Sequence, residues 1–214
     1  MSDHLDDLRN SRRDFDKGKL EGISHTDPML LFSEFYREAH EKNCADPHAM
    51  IISTVSKDGQ PSSRVVYMRE LVEEGFVFYT NYHSRKGMQI EGNDKVALLF
   101  YWDCTERQVR IEGTAEKVAE EFSDAYFADR PRLSQIGAWA SEQSSEIDSR
   151  ETLEARVKFF EEKYPDVVPR PPHWGGFLVR PKYFEFWQGR LGRLHDRICF
   201  EPDGDSWKTY RIAP

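Results

Sequence analysis

The chain has 214 residues, 38% of them hydrophobic and 13% aromatic, enough apolar side chain for one real core and too much for a disordered chain. With 38 acidic against 30 basic residues the formal charge is −8, which argues against general nucleic-acid binding. No apolar run approaches the ~20 residues of a membrane helix. Cys44, Cys104 and Cys199 are far apart with no C-x-x-C, so neither a zinc site nor a disulfide framework is expected.

Residues 1–27 are polar and read as a mobile arm; their charged start is not that of a secretory signal. "DPMLLFSEFYREAHEKN" then reads as a helix, with Asp27 as N-cap, Pro28 in its first turn and an apolar stripe of Leu30, Leu31, Phe35 and Ala39. The period next changes to two. Strands are expected over 49–55, 62–70 and 76–81, joined by short turns as an antiparallel meander, and then over 95–102 and 107–118. Residues 119–164 read as helical, in three pieces broken near Pro131 and around 144–149. After the Pro-rich connector "YPDVVPRPPHWGG" the strand signal returns in "FLVRP", "YFEFWQG", "LHDRICFEP" and "SWKTYRIAP". Strands first, helices inserted and strands last is not a doubly wound order. The fold class is mainly β with flanking helices, an antiparallel barrel, in one domain over 28–214. No G-x-G-x-x-G follows a strand, and the histidines show no ligand spacing, so no metal is expected.

Three places suit anions. Ser84 can cap a helix whose first turn holds Arg85 and Lys86, where basic side chains are unfavourable unless an anion is bound. Arg64, on the strand expected to pair with 76–81, can converge on the same anion. Strand alternation puts Arg64 and Arg69 on opposite faces, which suggests two ligands. Tyr126, Arg130 and Ser134 form a second cup of hydroxyls and guanidinium, with Ser134 as cap of the next helix. In "GRLGRLHDR" (189–197), alternation places Arg193, His195 and Arg197 on one strand face, with Arg190 left over and solvated. Trp187 and Gln188 just upstream, with Gln108, suit a planar heterocycle. For each group the alternative is an ordinary solvated face.

"RVVYMRE", "FYTN", "SRK", "RQVRIEG", "YFADRPRLSQIGAWAS", "QSS", "WGGF", "EFWQGR", "RLHDR" and the terminal "RIAP" occur in family order over about 45–214. Together they resemble the pyridoxamine 5'-phosphate oxidase family. The sparse cysteines fit a reducing, cytoplasmic setting, and the resemblance implies a homodimer with a split β-barrel fold and FMN at the subunit interface. Its substrates are B6 phosphates, oxidised by O2 to pyridoxal 5'-phosphate with release of H2O2. By position, Arg64, Arg85 and Lys86 hold the FMN phosphate, and Val65, Val66, Tyr79 and Thr80 line the flavin. Gln108, Trp187 and Arg197 lie near its ring, and Gln143 and Ser144 reach it from the partner subunit. Arg69, Tyr126, Arg130 and Ser134 meet the substrate phosphate, Arg193 and His195 its pyridine, and Arg13 folds over it. Asp46 matches a carboxylate proposed as proton acceptor. The family usually has lysine at the position of Arg69, and a tyrosine at that of Phe15, which is followed here by Asp16. A flavin reductase of the same fold and a non-enzymatic FMN or pyridoxal-phosphate carrier are the competing readings.

Overall fold

A computed structural model describes residues 13–214. The arm before Arg13 lies outside the described residues, and 13–27 contain no helix or strand. Helix α1 (Pro28–Glu41) starts as expected, the Asp27 carboxylate accepting the Met29 N–H at 2.8 Å. Its buried stripe is Leu31, Phe32, Phe35 and Ala39. Leu30, expected inside, is exposed, because the ~100° step per residue turns it away as Phe32 turns in.

The strands are β1 (Ala49–Val55), β2 (Pro61–Tyr67), β3 (Glu70–Val72), β4 (Gly75–Asn81), β5 (Lys95–Trp102), β6 (Arg107–Lys117), β7 (Trp174–Gln188), β8 (Asp196–Asp203) and β9 (Ser206–Arg211). Helix α2 (Arg85–Gly92) follows β4, and α3 (Glu120–Ala128), α4 (Arg132–Ala140) and α5 (Arg150–Lys163) stand where three helical pieces were expected. Pro181 does not divide β7, so the two strands expected there are one.

The strands pair in the order β2-β1-β5-β6-β7-β4-β3, with β8 on β7 and β9 on β8. The pairs β1–β2, β3–β4, β4–β7, β7–β8 and β8–β9 are antiparallel. This corrects the expected meander. β2 pairs with β1, Arg64 opposite Ile52, and not with β4, which pairs with β3 and β7. The reason lies at two residues: Met68 N–H bonds the His48 carbonyl and Arg69 N–H the Val77 carbonyl, so the chain changes partner between them. The strand expected over 62–70 is therefore two.

The described residues divide into two compact units. The first contains the residues up to Pro47, Leu99–Arg110 and Tyr183–Pro214; the second contains His48–Leu98 and Ile111–Lys182. In the first, Phe32 packs on Phe100 at 4.9 Å, Phe35 on Phe186 at 5.3 Å and Phe186 on Phe200 at 5.6 Å. A disulfide joins Cys44 to Cys104 there, correcting the expectation of unpaired cysteines. Local spacing could not show it, since 60 residues separate the two and only the fold brings their Cα atoms to 5.4 Å. In the second, Phe127, Ile136, Val168 and Trp174 form a core against which Tyr79 and Tyr126 pack. Among the described residues no helix is long and apolar enough to cross a membrane.

Candidate active site

The second unit contains a cavity of about 450 Å³ lined by Arg64, Val65, Val66, Arg69, Tyr79, Thr80, Lys86, Tyr126, Arg130, Ser134 and Gln143, all singled out from the sequence as site residues, and by Tyr67 and Pro131, which were not. Helix α2 positions Lys86. Ser84 caps it through the Gly87 N–H, as expected. A Cβ on Gly87 would lie 2.1 Å from the Tyr82 carbonyl oxygen, so only glycine lets the helix start this close to the preceding turn. Lys86 Nζ then reaches back to Gln143 Oε1 at 2.7 Å, Thr80 Oγ1 at 3.0 Å and Ser84 Oγ at 3.2 Å. All three acceptors are neutral, so the charge is solvated by protein dipoles without being cancelled.

Arg64 is held the same way. Its guanidinium donates to Thr54 Oγ1 at 2.7 Å and Ser62 Oγ at 2.8 Å, and both hydroxyls donate onward to Gln89 Oε1. Burial, with Arg64 beside it, pushes the Lys86 ammonium down to about 8. Burial and then Arg85 lower Arg64. Ser144 Oγ accepts the Arg85 backbone N–H at 3.2 Å.

The second cup is also present. Arg130 lies just beyond the end of α3, not on it as the i, i+4 reading assumed, and donates to the Ser134 carbonyl at 3.2 Å. Pro131, not Ser134, occupies the N-cap of α4, correcting that expectation. The proline cannot continue α3, so the next helix starts from it and puts Ser134 in its first turn. Burial lowers the Arg130 guanidinium, and the charge of Arg69 adds to that. Arg64 and Arg69, expected on opposite faces, line one cavity, because the change of partner at 68–69 breaks the alternation between them. Among the described residues none of Arg64, Arg69, Arg85, Lys86 or Arg130 forms an ion pair with a carboxylate. Four of these cations, Arg64, Arg69, Lys86 and Arg130, line the cavity, while Glu70 lies behind its wall and accepts the Tyr79 hydroxyl at 2.6 Å; four cations without a carboxylate partner make an anion site.

The first unit carries the remaining predicted residues. Strand β8 begins only at Asp196, with Arg197 opposite Trp187. Arg193 sits in a 3-10 turn (Leu191–Arg193) at φ 64°, so the alternation expected for Arg193, His195 and Arg197 does not hold. His195 lies 4.6 Å from Trp187, and Phe15 meets both rings edge-on at 5.4 and 5.5 Å. A Cβ on Gly189 would lie 2.6 Å from the Phe15 ring, so glycine there makes room for the arm. Arg13 pairs with Asp103 and Glu106, and Glu106 also accepts the Lys17 backbone N–H at 3.0 Å.

His195 Nδ1 accepts the Arg190 N–H at 3.1 Å, which leaves any ring proton of the neutral imidazole on Nε2. Burial, and then the charge of Arg193, lower its pKa. Arg190, expected to be solvated, instead pairs with Asp196 at 2.9 Å. Arg197 Nε bonds Glu185 Oε1 at 2.8 Å, and Arg110 the other oxygen at 2.7 Å. Burial raises the Glu185 carboxyl, but the two arginines more than offset it and the net shift is downward. Gln108 is half-buried on β6; Asp46 is exposed, and its side chain has no hydrogen bond or ion pair among the described residues. The sequence reading missed Glu185, although alternation along "YFEFWQ" puts it on the face of Trp187. It also missed Trp174, for which "HWGGF" offered no chemical signal.

The family described as Pyridoxamine 5'-phosphate oxidase matches residues 36–164, and the Pyridoxine 5'-phosphate oxidase C-terminal dimerisation region matches 174–214. A pyridoxine/pyridoxamine 5'-phosphate oxidase of Rubrobacter xylanophilus is 50% identical over 210 residues, covering 97% of each chain. One of Burkholderia multivorans is 49% identical over 211 residues, 97% of this chain and 99% of that one. Among solved structures, PhzG of Burkholderia lata in complex with tetrahydrophenazine-1-carboxylic acid superposes with a TM-score of 0.86 at 30% identity, covering 92% of this chain and all of that one. A pyridoxamine 5'-phosphate oxidase-related, FMN-binding protein of Nostoc punctiforme shares the split-barrel fold, with a TM-score of 0.71 at 17% identity over 90% of this chain and all of that one.

Proposed function

Because the chain belongs to the pyridoxamine 5'-phosphate oxidase family, and is an oxidoreductase with that family's split-barrel fold, we propose that it oxidises pyridoxamine 5'-phosphate and pyridoxine 5'-phosphate to pyridoxal 5'-phosphate. O2 is the acceptor and H2O2 is released; with the amine, water hydrolyses the imine first formed, giving the aldehyde and NH3. The observation that carries this reading is the carboxylate-free cluster of cations in the second unit. Arg64 and Lys86, with Arg85 acting on Arg64 from the start of α2, would form one arm and take one phosphate, and Arg69, Arg130, Tyr126 and Ser134 the other, as a phosphorylated cofactor and a phosphorylated substrate require.

FMN fits the first arm, where neutral hydroxyl and amide oxygens hold the cations and leave their charge for a phosphate. Thr80, Gln143 and Ser144 would complete that cradle, with Val65, Val66 and Tyr79 beside the flavin. Bound there, FMN would supply the redox chemistry, a hydride acceptor for substrate C4' and a route for the electrons to O2. The protein supplies binding and orientation. Trp187 and Gln108 would flank the ring, and Arg197, aimed by Glu185, would keep a cation beside it. Arg193 and His195 would orient the pyridine, His195 offering its Nε2 proton. Arg13 would close the arm over the substrate, and Asp46 would take the proton. In vitamin B6 metabolism such an enzyme works as a cytoplasmic homodimer, and the match of 174–214 to a dimerisation region supports that state.

PhzG's bound tetrahydrophenazine-1-carboxylic acid favours a second reading, oxidation of a partly reduced phenazine carboxylate. An aerobic peroxide assay separates the two. Peroxide with either phosphorylated vitamer, and none with tetrahydrophenazine-1-carboxylic acid, is the expected result; the reverse pattern would sink the first reading.

A further inference from the structure

Arg130 is held by an indole. Its Cζ lies 4.4 Å over the ring of Trp174, and it forms no ion pair with a carboxylate among the described residues. Trp174 is 5% exposed and opens β7, paired with Asn81 of β4. Its backbone N–H bonds the Pro171 carbonyl, and its own carbonyl accepts from Arg170 at 2.8 Å. The sheet therefore fixes the indole, whereas Arg130 stands in the turn between α3 and α4. The same ring is parallel to Tyr79 at 5.6 Å and to Tyr126 at 6.2 Å, and Tyr79 stacks on Tyr126 at 3.9 Å.

A carboxylate in that position would also fix the guanidinium, but it would cancel the charge and compete with any anion. An aromatic face attracts the cation through its quadrupole and leaves the in-plane N–H donors and the full charge available. We propose that Trp174 is a positioning residue for substrate phosphate, presenting Arg130 to a phosphate monoester. This rests on the reading that Tyr126, Arg130 and Ser134 receive that phosphate.

Oxygen uptake is measured for the FMN-loaded enzyme with pyridoxamine 5'-phosphate and with unphosphorylated pyridoxamine. In Trp174→Leu, KM for the phosphorylated amine rises about tenfold while kcat stays within about twofold. Inhibition by inorganic phosphate weakens in parallel. Trp174→Phe, which keeps an aromatic face, restores most of the loss and serves alone if the leucine variant does not fold. In an Arg130→Ala background neither substitution at Trp174 changes KM further. An unchanged KM, an equal rise for the unphosphorylated amine, or additivity with Arg130→Ala overturns the proposal. A wild-type enzyme that does not prefer the phosphorylated amine overturns the underlying reading, and shows it before any variant is made.

Discussion

In the second unit Lys86 gives its donors to Thr80, Ser84 and Gln143, and Arg64 its own to Thr54 and Ser62, all uncharged. In the first unit Arg107 meets Glu38, Arg110 and Arg197 share Glu185, and Arg190 and Arg211 share Asp196. Both regions are rich in arginine, and the second unit too pairs Arg150, Arg156, Arg170 and Arg180 with carboxylates, but it leaves the cations that line its cavity without a carboxylate partner. Charges paired inside the protein act on its stability; charges solvated by neutral dipoles remain to act on a ligand.

The sharpest way to break this contrast is Glu185→Ala, which leaves two guanidinium groups around a vacated, 2% exposed carboxylate position. It is expected to cost about 3 kcal/mol in urea unfolding; a cost below about 1 kcal/mol would put these pairs among ordinary surface contacts. Arg64→Ala is expected to do the opposite. FMN affinity, followed by flavin fluorescence, falls about 100-fold with no loss of melting temperature. Lost stability with intact affinity would reverse the contrast.

Next in size is the effect of pH. Lys86 is cationic below its pKa of about 8 and neutral above it, so its pull on an anion is complete at lower pH and lost as pH rises through 8. FMN or inorganic phosphate should bind more weakly above pH 8, by less than about tenfold per pH unit, and Lys86→Arg should flatten that limb. A limb that survives in Lys86→Arg belongs to another group. The smallest effect is on the unliganded protein. Phosphate at ten times its Kd should stabilise it by about 1.4 kcal/mol, and chloride at equal ionic strength should not. Equal gains from both salts would mean general screening.

Much of the site was legible as residue types. The cavity lining of the second unit consists largely of residues chosen from the sequence, because family blocks and helix-start chemistry are local signals. The geometry was less legible. Alternation failed wherever a strand was assumed to continue, at Met68–Arg69 and across Arg193–His195. The arginine of the turn between α3 and α4 was known, but not the indole beneath it.

The sequence by itself determined the places and types of most elements: the Asp27 cap, the Ser84 cap, three helical pieces after β6 and the period-two runs. These follow from side-chain periodicity and capping within a few residues. Only the tertiary structure decided that β2 turns to β1, that Cys44 meets Cys104, that Arg190 is paired and that Arg64 and Lys86 are not. Each of these depends on which distant backbone supplies the neighbouring atoms. Burial makes that choice costly to miss, since every charge taken from water needs a dipole, a counter-charge or a ligand.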